Sequence, residues 1–116
     1  MKAVNIVILS GNLASDVTLK TLKSGTKVAD FRLAVNERYK DKEGNEKERT
    51  AFVTIESWTG LAETCAKYLK KGRAVLVEGR LKMDEWKNDE GENRSRLLVT
   101  ADNVTFLDKP KEKAGE

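Results

Sequence analysis

The chain has 116 residues, 39% of them hydrophobic and 35% charged, enough for one domain with a single core beneath a densely charged surface. It has no His and one Cys, which leaves no ligands for an ordinary zinc site, no intramolecular disulfide, and no Ser-His-Asp, Cys-His or His-based acid–base chemistry. Net charge is +3, too small alone to imply a polyanionic partner, and no apolar run approaches a membrane span; an enzyme, a cofactor, a metal and a membrane partner are all unexpected.

The N-terminus lacks the apolar core and cleavage site of a signal peptide, so a cytoplasmic location is expected. The first predicted strand, VNIVILSGNL, is apolar almost throughout, with Gly11 marking a bend or bulge. A strand so apolar implies cover from more than one subunit. The polar stretch ASDVTLKTLKSGTK follows, with a turn at Ser24-Gly25. VADFRLAVNERY then alternates as a second strand, placing Ala29, Phe31, Leu33 and Val35 on a buried face and giving Tyr39 the same parity. KDKEGNEKER reads as a long hairpin loop around Gly44-Asn45.

The third strand, RTAFVTIESW, sets Ala51, Val53, Ile55 and Ser57 on one side and Phe52, Thr54, Glu56 and Trp58 on the other. Its two largest aromatics therefore share the polar face. After Trp58 the period becomes helical: in TGLAETCAKYLKKG, Leu61, Cys65, Tyr68 and Leu69 form one core-facing stripe. Thr59 or Gly60 is the expected N-cap and Gly72 the stop. The fourth strand, RAVLVEGRLKM, puts Val75, Val77, Leu81 and Met83 on the buried side and Glu78, Arg80, Lys82 and, further on, Trp86 on the polar side. A turn at NDEGEN leads to the fifth strand, RLLVTADNVTFL. Phe31 and Phe106 are assigned to the core. Residues 108–116 are polar, hold the only Pro, and are expected to form a disordered tail on a domain of residues 1–107.

Three strands, a short helix and two more strands make an all-β chain whose sheet edges are removed by closure. That order is the plan of an OB-fold, a five-stranded Greek-key barrel with one short helix between strands 3 and 4. OB-folds customarily bind oligonucleotides or oligosaccharides across the face of strands 2 and 3 and the adjoining loops. Tyr39, Phe52, Trp58 and Trp86 flank two hairpins and are interleaved with cations. From Lys67 to Lys82 alone there are six basic residues against one acidic. Rings that stack bases beside cations that meet phosphates are what a single-stranded nucleic acid requires. The competing reading is that these rings cover core edges or fill a subunit interface.

In NIVILSGNL, FRLAVNERYKDKEG, LAETCAKYLKKGRAVLVEGRL and EWKNDEGE the chain resembles the bacterial single-stranded DNA-binding protein family, over about Asn5 to Leu107. The resemblance implies a sequence-independent binder of single-stranded DNA in replication, recombination and repair, nucleoid-associated, assembling as a homotetramer. It places the stacking residues at Tyr39, Phe52, Trp58 and Trp86, and phosphate contacts at Lys42, Lys47, Lys71 and Lys82, with Lys70 and Arg80 beside them. Two departures stand out: Asp84 and Glu85 precede Trp86 where the family often has cations, and Thr54 stands where it often has Arg. Family members usually end in a long linker with an acidic tip that recruits replication and repair proteins; such partners are expected only if that tip exists outside this chain. The alternative reading is an OB-fold protein-interaction module of the replication-restart, or primosomal, type.

Overall fold

A computed structural model describes residues 1–107 as β1 (Val7–Leu13), β2 (Thr18–Thr21), β3 (Lys27–Lys40), β4 (Glu46–Trp58), α1 (Thr59–Tyr68), β5 (Ala74–Lys87) and β6 (Asn93–Phe106). The order β1-β5-β6-β4-β3 closes on itself because β1 pairs with β5 along Val7–Asn12 and with β3 at Asn12 and Leu13. The five-stranded barrel with α1 before the fourth of its strands is the expected OB-fold. An additional strand, β2, lies within the stretch read as merely polar; its four residues are all exposed and extend the edge of β3. The expected disordered tail lies outside the described residues.

Alternation builds the core. Phe31, Leu33, Ile55, Val75, Val77 and Val99 turn inward from five-stranded sheet faces, and Cys65 and Leu69 close over them from the helix and its exit. Burial pushes the Cys65 thiol up from its ordinary pKa, against the opposing effect of a hydrogen bond with the Ser57 side chain. Two glycines let backbones touch: a Cβ at Gly11 would run into the Ala34 carbonyl where β1 leaves β5 for β3, and one at Gly79 would run into that of Thr100. At Gly79 the β5–β6 register steps from Glu78–Asn103 to Gly79–Ala101, leaving Asp102 as the bulged residue.

Several expectations are corrected. KDKEGNEKER is not a long loop: β3 and β4 stay paired as far as Lys40 and Glu46, and only residues 41–45 turn. The reason is charge. Glu37 faces Arg49, Arg38 faces Glu48 and Lys40 faces Glu46, so opposite charges meet across the ribbon, Glu37 and Arg49 at 3.0 Å. Asp41 closes the turn by accepting the Glu43 and Asn45 amides, and Asn88 does the same for Glu90 and Glu92 in the second hairpin. Leu81 and Met83 share the parity of Val77 but are 47% and 50% exposed, since the β5–β6 hairpin projects past the point where the barrel closes. Tyr68 and Phe106, expected inside, are also exposed and meet each other at the surface, ring centroids 6.3 Å apart. Tyr68 is the last helical residue, and Leu69, leaving helical geometry, takes the inward position instead.

Helix α1 has neither expected terminus. Trp58 is its N-cap, without a capping side chain, and Thr59 makes the sharp turn from β4 at φ +54°, its hydroxyl donating to the Trp58 carbonyl at 2.7 Å. Such a φ strains a β-branched residue. The helix ends at Tyr68, and Gly72, at φ +97°, instead shapes the turn into β5, its N–H bonded to the Leu13 carbonyl.

Candidate nucleic-acid interface

The strand pairings carry the polar parity of β4 onto its neighbours. Across β3, Ala34 faces Phe52, Arg32 faces Thr54 and Asp30 faces Glu56. On the other side β6 runs parallel, with Thr100 beside Glu56, and Arg80 of β5 faces Thr100 in turn. One continuous surface therefore crosses β3, β4, β6 and β5, carrying Arg32, Phe52, Glu56, Trp58, Arg80 and Lys82. A groove of about 610 Å³ opens on it, lined by Asn5, Trp58, Arg80, Lys82, Thr100 and Asp102.

Each of the four aromatics expected to stack bases has a cation over its ring. The Arg32 guanidinium lies 4.9 Å from the Phe52 centroid, Arg49 4.8 Å from Tyr39, Lys82 5.3 Å from Trp58 and Arg96 5.9 Å from Trp86. Phe52, Trp86 and Tyr39 are 55%, 45% and 41% exposed, and Trp58 is half-buried. An exposed ring offers a base one flat face; of the four cations beside these rings, Arg49, Lys82 and Arg96 are also paired with Glu37, Glu56 and Asp84, and Arg32 is in no ion pair among the described residues.

Arg32 was not among the expected site residues. It stands opposite Thr54, the position between Phe52 and Trp58 at which the resemblance implies an Arg. The cation is present, supplied by the neighbouring strand. Only the register reveals this, because Arg32 lies 22 positions away in the chain.

The other expected residues divide by location. Trp86 continues the face along β5, where Arg94 and Arg96 of β6 add cations beside the Asp84 carboxylate, paired with Arg96 at 3.5 Å. Tyr39 does not join Phe52: the β3–β4 register runs without a bulge, so Tyr39 keeps the parity of Phe31 and projects from the opposite face of the ribbon, across from Lys47. Lys42 sits in the hairpin turn. Lys70 and Lys71 lie past the far end of α1, a helix about 15 Å long, next to Leu13 and Asp16. Among the described residues none of these four lysines is in an ion pair, whereas Arg80 is bound to Asp102 at 3.1 Å and Lys82 to Glu56 at 3.0 Å.

These features define an OB-fold barrel with an open face of rings and cations. The chain matches the single-strand binding protein family over residues 4–107, and it belongs to that family. It is 39% identical over 104 residues to the single-stranded DNA-binding protein of Helicobacter hepaticus and 40% identical over 104 residues to that of Wolinella succinogenes. Those matches cover 90% of this chain but 61% and 64% of the two relatives, so the chain spans under two thirds of their length. Among solved structures it is similar to the Plasmodium falciparum SSB in complex with single-stranded DNA, with a TM-score of 0.85 and 29% identity over 93% of this chain and 98% of that one.

Proposed function

We propose that this chain is a non-enzymatic, sequence-independent binder of single-stranded DNA acting in replication, recombination and repair. The observation that carries the proposal is the continuous face across β3, β4, β6 and β5, on which Phe52, Trp58 and Trp86 each stand beside a cation. Bases stack on these rings whatever their identity, and cations neutralise the backbone. Tyr39 is the fourth stacking residue, reached by a strand that passes round the β3–β4 hairpin. Lys42, Lys47, Lys70 and Lys71 are phosphate contacts with their charge unspent, and Arg80 and Lys82 face the same backbone with their charge drawn on by Asp102 and Glu56. Family membership and the likeness to relatives named for single-stranded DNA binding support this reading.

The chain assembles as a homotetramer on the same proposal. Ile6, just before β1, and Ile8, on its outer side, are 72% and 60% exposed. Val7–Gly11 of that strand also pair with β5 alone, leaving a free edge on which a second copy can add. A cytoplasmic, nucleoid-associated location follows from the ligand. Among the described residues no helix is long and apolar enough to cross a membrane. The test is competition among oligonucleotides of equal length: single strands of differing sequence should bind alike and duplex should bind far more weakly. Equal affinity for duplex, or no binding of any single strand, would overturn the proposal, the latter in favour of a protein-interaction module.

A further inference from the structure

Several carboxylates stand on this face among its cations, Asp30, Asp84 and Asp102 included, and Glu56 is one on which three donors converge. Glu56 is only 12% exposed as a side chain, and a single oxygen, Oε2, accepts three hydrogen bonds: from the Trp58 indole N–H at 2.6 Å, the Lys82 ammonium at 3.0 Å and the Thr100 hydroxyl at 3.4 Å. Trp58 ends the strand that carries Glu56, β4, while Lys82 reaches in from β5 and Thr100 from β6, and Lys82 also lies over the Trp58 ring. An indole N–H held to a carboxylate fixes the ring plane, since rotation about the side-chain torsions would leave a half-buried anion short of a donor. An ammonium at 3.0 Å from the same anion presents little net charge to an approaching phosphate.

We infer that Glu56 is a positioning residue of the DNA groove, which holds the Trp58 ring ready for a base and masks Lys82 from the phosphate backbone. The inference rests on the single-stranded DNA reading above and names how that site is tuned. Glu56 exchanges electrostatic affinity for a pre-set stacking platform, so binding here is less salt-dependent than the cations on the face would make it. Trp86, whose indole N–H has no acceptor among the described residues, is the internal control.

The experiment measures binding of an oligo-dT to the full chain from 50 mM to 1 M salt, for wild type, Glu56→Gln, Lys82→Gln, the double variant and Glu56→Leu. Glutamine keeps an acceptor for the indole and removes the charge. Each phosphate neutralised on a single strand adds about 0.7 to the slope of log affinity against log salt. Glu56→Gln should therefore steepen the slope by about 0.7, so its gain over wild type shrinks about eightfold across that range. The double variant, which removes both charges, should return to the wild-type slope. A Glu56→Gln slope equal to wild type, with the double variant falling to the Lys82→Gln value, would overturn the masking of Lys82.

At 1 M salt, where the phosphate contribution is smallest, Glu56→Leu should bind about tenfold more weakly while Glu56→Gln holds the wild-type affinity. Equal losses for both would overturn the positioning of Trp58. A measurement on the unmutated protein tests the same point without depending on any variant folding: the Trp58 indole proton should exchange with water far more slowly than that of Trp86, and equal rates would overturn it. Wild type that binds no oligo-dT at any salt would overturn the DNA reading itself, whereas wild type that binds while Glu56→Gln changes nothing overturns this inference alone.

Discussion

Phe52→Ala separates binding from stability more cleanly than any other change on the face. The ring is 55% exposed, lies on the side of β4 away from the core, and its principal partner is the Arg32 guanidinium at 4.9 Å. Losing that exposed cation–π contact costs about 0.5 to 1 kcal/mol of folding stability. Losing a stacked base costs about 1 to 3 kcal/mol, or about five- to 150-fold in Kd. Ile55→Ala, three positions on and facing inward at 0% exposure, reverses the balance: it empties a core position at a cost of about 2 to 5 kcal/mol, a fall of at least about 8 °C in Tm. Oligo-dT titration at one fixed salt concentration and thermal unfolding of both variants measure the two quantities. Unchanged oligo-dT affinity in Phe52→Ala, or a collapse of its stability comparable with that of Ile55→Ala, would refute the assignment of the two faces.

Tyr39→Ala should leave the affinity for a short oligo-dT of about eight nucleotides unchanged and weaken that for a much longer one, because Tyr39 projects from the opposite side of the β3–β4 ribbon from Phe52; equal loss at both lengths would place the ring on the same track. Thr59→Gly relieves a φ of +54°, about 1 to 2 kcal/mol of strain, offset in part by glycine's greater freedom in the unfolded chain and by the lost hydroxyl bond to the Trp58 carbonyl, so a slightly higher urea midpoint is expected. Cys65 is fully buried and its thiol pKa is raised by desolvation, so less of it is thiolate at any given pH than for a free cysteine, and alkylation at pH 8 should proceed only as urea unfolds the chain. Rapid labelling in native buffer would contradict that burial.

Alternation made much of the barrel readable. Phe31, Leu33, Ile55, Val75 and Val77 were placed inside by parity alone and are buried. Parity names a face, however, and not how far the core beneath it extends, which is why Leu81 and Met83 were misplaced on a hairpin that outruns the barrel. The distal end of the β3–β4 ribbon, KDKEGNEKER, reads as loop because its residues are charged on both faces, and a charged segment looks locally like a solvated one. Its order comes from pairs such as Arg38–Glu48, visible only once the two strands are laid side by side. The same nonlocality hid Arg32, opposite Thr54, and the shared hold of Glu56 on Trp58 and Lys82. Phe52 and Trp58 stood out because a large aromatic beside Thr and Glu breaks the local pattern; Arg32 and Glu56 broke no pattern in their own strands. Tyr68 and Phe106 failed for another reason, since each sits at the end of its element, where regular periodicity no longer decides which way a side chain turns.

The most direct test of a face that stacks bases beside cations is the tryptophan fluorescence of the chain during titration with oligo-dT at several salt concentrations. Trp58 and Trp86 are its only two tryptophans and both belong to that face. Strong quenching is expected at every salt concentration that permits binding, with a midpoint that moves to higher oligo-dT concentration as salt rises. Emission that stays flat throughout, or binding without quenching, would contradict it.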